Sequence, residues 1–357
     1  MERNRAAEEA EIADIVRGVL AVQARTATEE NRPLRPATHA KGVCVRAVFE
    51  VLDVGQARDP VLAARLARGV YAKAGCYPAT ARFANGDSSI NTDWKPDVRT
   101  LSFCVELDPR GTSDPAARAA RQDYSLQSWP TLPMNDVHAF WVFAKVLQGA
   151  NPTVTLGSLP FRDRLVYAQT MIRIMEQTRH PVRPYQHLRY WSNVPFRHGA
   201  QDVVKYSASP ATANPACAFD LQQHDPNALT DELIRHVNED ATMSSFDFGL
   251  QLLDTERMLY QGKRRDAAFW IENAAVEWPE AQSPFHTVAR LTLLPKSQLS
   301  PEASEAMYID VSGNCTADSL PVGGINRVRW YAEVASRNAR LGRPPRIDEN
   351  AGMRGDT

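Results

Sequence analysis

Residues 35–51, RPATHAKGVCVRAVFEV, decide the fold because they join a turn-forming segment to a strongly alternating one. Apolar side chains occupy every odd position from Val43 to Val51, whereas Arg46 and Glu50 fall between them. Side chains of a β-strand alternate between two faces, so this spacing predicts a strand with one buried face. The turn before the strand places His39 at the margin of the resulting sheet.

Similar alternation recurs along the chain and predicts further strands near residues 79–84, 100–107, 203–207, 246–253, 274–278 and 286–294. Helical periodicity marks residues 5–26, 136–147, 161–177, 231–238 and 325–340. Many antiparallel-type strands with segregated helices predict an α+β fold, for which a closed barrel is one arrangement. We expect an N-terminal helical arm over residues 1–32, a main domain over 33–341 and a flexible tail over 342–357.

The composition narrows the class of protein. Lys and Arg total 41 against 42 Asp and Glu, so neither nucleic acid nor an anionic membrane is the expected partner. The sequence has no apolar run of the ~20 residues that a membrane span requires. Five scattered cysteines argue against a disulfide framework and a thiolate metal site, and a reduced cytoplasmic protein is expected.

Two positions have chemical potential, although each also has an ordinary structural explanation. His39 could act as a general acid–base, since the unperturbed pKa of histidine is ~6.5, or it could simply bind a backbone carbonyl. Arg327 and Tyr331 are spaced i,i+4, so on a helix the guanidinium could reach the phenol and favour the phenolate. An ordinary surface Arg–Tyr contact has the same spacing.

Seven segments, taken together, are similar to the catalase-related haem proteins and follow one another in that family's order. They are THAKG, YPATARFANGDSS, PDVRTLSF, QDYSLQSWPT, RYWSNVPFRHG with VVKYS, AAVEWPEAQSPFHTVARLTL and GGINRVRWY. The resemblance spans residues 33–340, and its last two segments look like the small branch that includes allene oxide synthases and small catalase-like peroxidases. It implies an antiparallel β-barrel core of the catalase type with surrounding helices.

The resemblance also assigns roles around a haem b cofactor. His39 matches the distal histidine that moves a proton between the peroxide oxygens. Tyr331 matches the tyrosinate that binds the iron, with Arg327 as its hydrogen-bonding partner. An anionic oxygen donor of this kind stabilises ferric iron.

Two arginines match the residues that bind the haem propionates. Arg82 matches the family pattern well, whereas Arg99 matches less closely because Thr100 follows it in place of the usual glycine. By the same resemblance we expect a homodimer and a peroxide plus a small molecule as substrates.

Three positions depart from the catalase pattern. Ser128 stands where catalases have the distal asparagine, and Asn135 would need a shifted loop to replace it. Ala84 replaces a serine that orients the distal histidine. Thr38 precedes His39, as in the allene oxide synthases, where this threonine contacts the histidine and suppresses hydrogen peroxide turnover.

These departures set the order of the functional hypotheses. The first is a haem-dependent oxidoreductase, a peroxidase or catalase-like enzyme that uses hydrogen peroxide or an organic hydroperoxide to oxidise a small molecule, as in specialised metabolism. The alternatives are a hydroperoxide dehydratase or isomerase of the allene oxide synthase type, then a peroxide scavenger, then a non-catalytic haem-binding protein.

Overall fold

The alternating segment forms the central strand of a large sheet. In the computed structural model, β1 spans Gly42–Val51, and its odd-numbered side chains from Val43 to Val51 are buried. Arg46 and Glu50 point away from this buried face and are exposed. The structure describes residues 5–31, 33–34, 38–56, 59–108, 121–149, 151–214, 225–239 and 243–343.

Eight antiparallel strands close into a barrel. The further strands of the described residues are β2 Gly75–Asn85, β3 Arg99–Glu106, β4 Arg121–Gln127, β5 Tyr190–Trp191, β6 Phe196–His198, β7 Asp202–Pro210, β8 Ser245–Leu252, β9 Leu259–Tyr260, β10 Lys263–Arg264 and β11 Phe285–Gln298. The order around the sheet is β5-β4-β3-β2-β1-β11-β8-β7-β6, and pairing of β5 with β7 closes the ring. The short β6 lies outside this ring, and β9 and β10 form a separate hairpin.

Helices cover the barrel. Those of the described residues are α1 Arg5–Glu29, α2 Pro60–Leu66, α3 Val137–Gln148, α4 Pro152–Ser158, α5 Phe161–Thr178, α6 Ala228–Ile234, α7 Ala267–Glu272, α8 Pro301–Ala306 and α9 Gly324–Arg340. The predicted α+β class with an antiparallel β-barrel core is therefore confirmed. The helices predicted at residues 5–26 and 325–340 correspond to α1 and α9.

The barrel interior is filled by aromatic side chains. Phe49, Phe103, Tyr124 and Phe248 form one contiguous group, with ring centroids 4.6 Å apart for Phe103–Tyr124 and 5.1 Å for Tyr124–Phe248. Full burial of such a ring contributes roughly 1.5–3 kcal/mol to stability. Because these rings occupy the interior, the barrel functions as a packed core, and a ligand site is expected outside its wall.

A second, smaller apolar cluster joins three helices beside the barrel. Ile12, Ile15 and Val16 of α1 pack with Val137 of α3 and Val328 of α9. The predicted N-terminal arm thus contains a helix docked on α3 and α9. The division into an arm, a main domain and a tail stays a prediction, and residues 344–357 lie outside the described residues.

The strand predicted at residues 274–278 is wrong. This segment forms turns after α7, and the Ala274 N–H donates to the Asn135 carbonyl. The Trp278 ring packs with Met258 and Trp270 in a cluster separate from the barrel core. Within the described ranges, every helix is too short or too polar to cross a membrane.

Candidate functional site

A cavity of about 450 Å³ lies between the outer wall of the barrel and the helices α1, α3 and α9. Its polar lining includes His39, Arg82, Ser102, Ser125, Gln127, Asn193, Arg329, Glu333, Arg337 and Arg340. Its apolar lining includes Val19, Val22, Leu132, Met134, Phe140 and Phe143. This volume is in the range of pockets that bind cofactor-sized molecules.

One wall of the cavity is built by strand register. Arg82 pairs with Ser102 across β2 and β3, and Ser102 pairs with Ser125 across β3 and β4. The three side chains therefore form a row on the outer face of the barrel, because their neighbours Phe83 and Phe103 point inward. The same alternation that packs the barrel core lines the cavity with polar groups.

His39 occupies the entry to β1 with an unusual backbone. Its φ of 61° lies in the left-handed region, which few residues other than glycine adopt. Two hydrogen bonds hold it there: the His39 N–H donates to the Gly86 carbonyl at 3.2 Å, and the Arg82 guanidinium donates to the His39 carbonyl at 2.8 Å. The backbone on both sides of the imidazole is thus anchored to β2 and the turn that follows it.

The environment keeps the His39 imidazole neutral. Burial, followed by the nearby positive charges of Arg82 and Arg329, lowers the pKa of His39 to about 3. A neutral ring has a free lone pair, which a proton acceptor requires. The Thr38 Oγ1 lies 3.0 Å from the His39 Nδ1, so the threonine–histidine contact expected at this position is present.

A second wall of the cavity is one face of α9. Arg329 and Glu333 line the cavity, and the Arg329 Nε donates to the Glu333 Oε1 at 3.0 Å. The other oxygen, Oε2, is buried and has no hydrogen-bond partner among the described residues. Burial raises the pKa of Glu333, and the positive charge of Arg329 opposes that shift.

Tyr331 and Arg327 lie on other faces of the same helix. Tyr331 packs beside the α1–α3–α9 cluster, and Arg327 forms ion pairs with Glu8 at 2.6 Å and Glu272 at 3.5 Å. Neither belongs to the described residues that line the cavity. Side chains two positions apart on an α-helix point in directions that differ by about 200°. A helix that directs residues 329 and 333 into the cavity therefore directs residues 327 and 331 away from it. The structure therefore does not bring Tyr331 together with His39.

Two glycines seat α9 in this orientation. Gly323 has a φ of 90°, and a Cβ there would lie 2.7 Å from the Ile271 carbonyl oxygen. A Cβ on Gly324 would lie 2.7 Å from a Val137 methyl group. Only glycine allows the start of α9 to approach α3 and α7 this closely.

Of the two predicted propionate arginines, Arg82 lines the cavity and Arg99 does not. The Arg99 guanidinium is buried, donates to the Asp93 and Lys95 carbonyls and lies 3.8 Å from an Asp97 oxygen. Its contacts stabilise the turn between β2 and β3. Arg99 is thus placed as a structural residue, and its cofactor role stays a prediction.

Ser128 also lies beside the cavity rather than in its lining. Its Oγ accepts a hydrogen bond from the Arg99 N–H at 2.9 Å, and its own N–H donates to the Arg99 carbonyl at 2.8 Å. Asn135, the other candidate for the distal amide, borders a separate surface pocket. The structure does not bring either residue together with His39.

Among the described residues, Gln127, Asn193 and Asn338 are the amide side chains that line the cavity, and sequence reasoning missed all three. Gln127 could have been found from β4, where Tyr124 and Leu126 are buried and Ser125 and Gln127 alternate with them. Asn193 lies in a loop, has a φ of 61° and donates to the Trp129 carbonyl. Nothing in its local sequence indicates that placement.

Comparison with known proteins supports the fold. No family model and no curated protein matches this sequence. Among solved structures, a fungal catalase matches with a TM-score of 0.60 and 15% identity, covering 89% of this chain and 62% of the catalase. Catalase A from Saccharomyces cerevisiae matches with a TM-score of 0.59 and 15% identity over 89% of this chain and 63% of its own.

The chain thus spans about three fifths of the length of these two catalases. An identity of 15% is informative about the arrangement of the backbone and not about activity. The barrel and the flanking helices agree with that arrangement. The chain has a catalase-like fold.

Proposed function

We propose that this protein is a haem-dependent oxidoreductase that uses hydrogen peroxide or an organic hydroperoxide to oxidise a small molecule. The observation that carries the proposal is a neutral, anchored histidine beside a largely apolar cavity of a catalase-like fold, into which several guanidinium groups also project. The haem b cofactor, the peroxide and the small-molecule substrate all belong to this proposal.

The lining fits a flat apolar molecule with anionic groups. Leu132, Met134 and Phe140 supply apolar surface, while Arg82 and Arg337 supply guanidinium groups in the same cavity. Arginine binds carboxylates with two parallel hydrogen bonds, which suits propionate groups. We infer that Arg82 would hold a propionate of the haem. Bound haem would supply the redox-active iron for the reaction.

His39 would perform the proton transfer. Its pKa of about 3 leaves the ring unprotonated at neutral pH, so it can accept the proton of an incoming hydroperoxide. The low pKa also favours rapid release of that proton to the departing oxygen. Thr38 and the backbone bonds to Gly86 and Arg82 fix the ring for this transfer.

The test uses purified protein loaded with haem. We expect His39→Ala to retain haem and to lose peroxide-dependent oxidation by roughly 10²- to 10⁴-fold, the usual contribution of a general acid–base. The control is His180→Ala, because His180 is exposed and stacks on Trp129 away from the cavity lining. Failure of the wild-type protein to bind haem, or full activity of His39→Ala, would refute the proposal.

A second candidate function is the rearrangement or dehydration of a lipid hydroperoxide. The contact of 3.0 Å between Thr38 and His39 favours it, because it occupies one nitrogen of the catalytic ring. Haem-loaded protein would be incubated with a fatty-acid hydroperoxide, without an electron donor. Conversion to a dehydrated or isomeric product would favour this candidate, whereas turnover only with an electron donor would favour the first.

Scavenging of peroxide and non-catalytic haem binding rank below these two candidates. Oxygen release from hydrogen peroxide at catalase-like rates would favour the scavenger. Cytoplasmic location, a homodimer and membership of the small branch of the family stay predictions.

A further inference from the structure

Glu333 stands apart from the other carboxylates in the cavity lining. Glu305 pairs with Arg340 at 3.3 Å, and an Asp310 oxygen accepts from the Ser312 and Gly313 backbone N–H groups. Glu333 has one oxygen bound to Arg329, while the second is buried without a hydrogen-bond partner among the described residues. About 30% of its side chain is nevertheless accessible, because it faces the cavity.

An orphaned carboxylate oxygen is costly. Burying a polar group without a partner costs roughly 1–3 kcal/mol, and more for a charged group. Such a group calls for an explanation, such as a bound water, an ion, a ligand or a role in catalysis. Glu333 lines the cavity, so a positively charged or electrophilic centre that binds there would satisfy its carboxylate once the side chain turns the Oε2 toward that centre.

The spacing of Arg329 and Glu333 along α9 matters as much as the burial of the Glu333 oxygen. The family resemblance implies that the iron binds an anionic oxygen from a helix residue that has an arginine four positions earlier. In the sequence analysis these residues are Tyr331 and Arg327. The structure places an arginine and an anionic oxygen with this same spacing in the cavity, two residues further along α9, as Arg329 and Glu333. We propose that Glu333, and not Tyr331, is the anionic ligand of the haem iron, with Arg329 as its positioning residue.

This assignment rests on the proposed function, because it requires haem in the cavity. A carboxylate is a hard oxygen donor and carries a full negative charge, as a phenolate does. Arg329 binds one of the two oxygens and leaves the other without a partner among the described residues. No covalent change in the protein is required, and the only bond formed joins a Glu333 oxygen to the iron.

One phenol does line the cavity and is the rival ligand. Tyr308 also belongs to the lining, but its ring is covered by Arg337 at 3.4 Å and approached by Arg121 at 5.4 Å. These cation–π contacts account for its position without a ligand. Tyr308 and Tyr331 are therefore both included in the test.

The experiment is a haem titration of the full chain, followed by absorption and electron paramagnetic resonance spectra of the ferric protein. Glu333→Gln should change the charge-transfer bands and weaken haem binding by at least about 10-fold. Glu333→Tyr should bind haem and gain the absorption of a phenolate ligand. Arg329→Gln should keep haem but shift its reduction potential, which a purely structural role would not do.

The matched control is Glu176→Gln, because Glu176 is exposed on α5. It and Tyr331→Phe should give the wild-type spectrum and affinity, and Tyr308→Phe should give the wild-type spectrum. Circular dichroism would verify that each variant folds, and the gain of a phenolate band in Glu333→Tyr supplies evidence that loss of folding cannot mimic.

The outcomes separate this inference from the proposed function. A wild-type protein that does not bind haem overturns the proposed function, and the ligand assignment falls with it. A wild-type protein that binds haem with a spectrum unchanged by Glu333→Gln overturns the ligand assignment alone. If Tyr331→Phe or Tyr308→Phe changes the spectrum, the mutated tyrosine and not Glu333 is the ligand of the iron.

Discussion

At the scale of single residues, the cavity depends on charged groups held close together at partly buried positions. His39 lies near two guanidinium groups, those of Arg82 and Arg329, and both disfavour a second positive charge. Arg82 also binds the His39 carbonyl, so one side chain fixes the backbone and tunes the ring. Thr38 is adjacent in sequence, and its contact with His39 needs no tertiary structure.

The low pKa of His39 predicts that the protein loses stability in acid. Its folded pKa of about 3 is below the unfolded value, so the unfolded chain binds more protons between those two values. Stability should therefore fall as the pH drops below ~6.5, by up to about 1.4 kcal/mol per pH unit. His39→Asn should lack this contribution, because asparagine tolerates the left-handed backbone and does not titrate.

The measurement is urea unfolding of the haem-free protein and the variant across that pH range. The difference in unfolding free energy between the two proteins should be constant near neutral pH and should shrink with acid. Parallel pH profiles would contradict the assignment of a buried neutral imidazole.

At the scale of elements, α1 closes one side of the cavity. Gly18, Val19 and Val22 line the cavity from α1, and the Asp14 carboxylate accepts a hydrogen bond from the Trp141 indole at 3.0 Å. Polar contacts further along the helix join it to α3 and α9. Access to the cavity therefore depends on how firmly α1 is docked.

His138 makes this docking dependent on pH. Burial lowers its pKa, but the hydrogen bonds that the ring donates first to the Glu11 carboxylate of α1 and then to the Asp163 carboxylate of α5 outweigh burial and leave the pKa raised. A raised histidine pKa contributes stability below the unfolded value, and that contribution is lost as the pH rises through the folded value. Docking of α1 should therefore weaken as the pH rises above the unfolded value of ~6.5.

Limited proteolysis within α1 would measure this effect. Cleavage of the wild-type helix relative to His138→Gln should increase as the pH is raised from about 6 to 8, since only the wild-type contact titrates in this range. The ratio cancels the pH dependence of the protease. A ratio that does not change with pH would show that His138 is not part of the α1 contact.

At the scale of the whole molecule, the barrel and the cavity have separate tasks. Packed rings fill the barrel and supply stability, while the outer wall and the helices hold the polar groups. The two share strands β2, β3 and β4, whose alternating side chains serve the core on one face and the cavity on the other. A core change should therefore affect stability before it affects ligand binding.

Two phenylalanines provide a matched test of this division. Phe103 is 0% exposed within the barrel, whereas Phe161 is 69% exposed at the start of α5. Phe103→Ala should lower the free energy of unfolding by roughly 3–5 kcal/mol, and Phe161→Ala by no more than about 0.5 kcal/mol. Urea midpoints at unchanged slope would measure both, and similar losses for the two variants would contradict a ring-packed barrel.

Some features of this protein follow from its sequence alone. The alternation of Val43–Val51, the helical periods of α1 and α9, and the adjacency of Thr38 and His39 are all local. Local spacing determines whether a segment forms a strand or a helix, because each has its own period. The seven segments that resemble the catalase-related proteins predicted the barrel as well, and they predicted that His39 belongs to the site.

The tertiary structure alone decided which faces of those elements meet. The rotation of α9, set by Gly323 and Gly324 against α7 and α3, brings Arg329 and Glu333 into the cavity and leaves Tyr331 outside it. The alternation of side chains along β4 likewise directs Gln127 into the cavity, whereas Ser128, just beyond the strand, bonds to Arg99. A periodic pattern defines the faces of a helix or strand, but the partner that a given face contacts depends on the packing of distant segments, which local sequence does not encode.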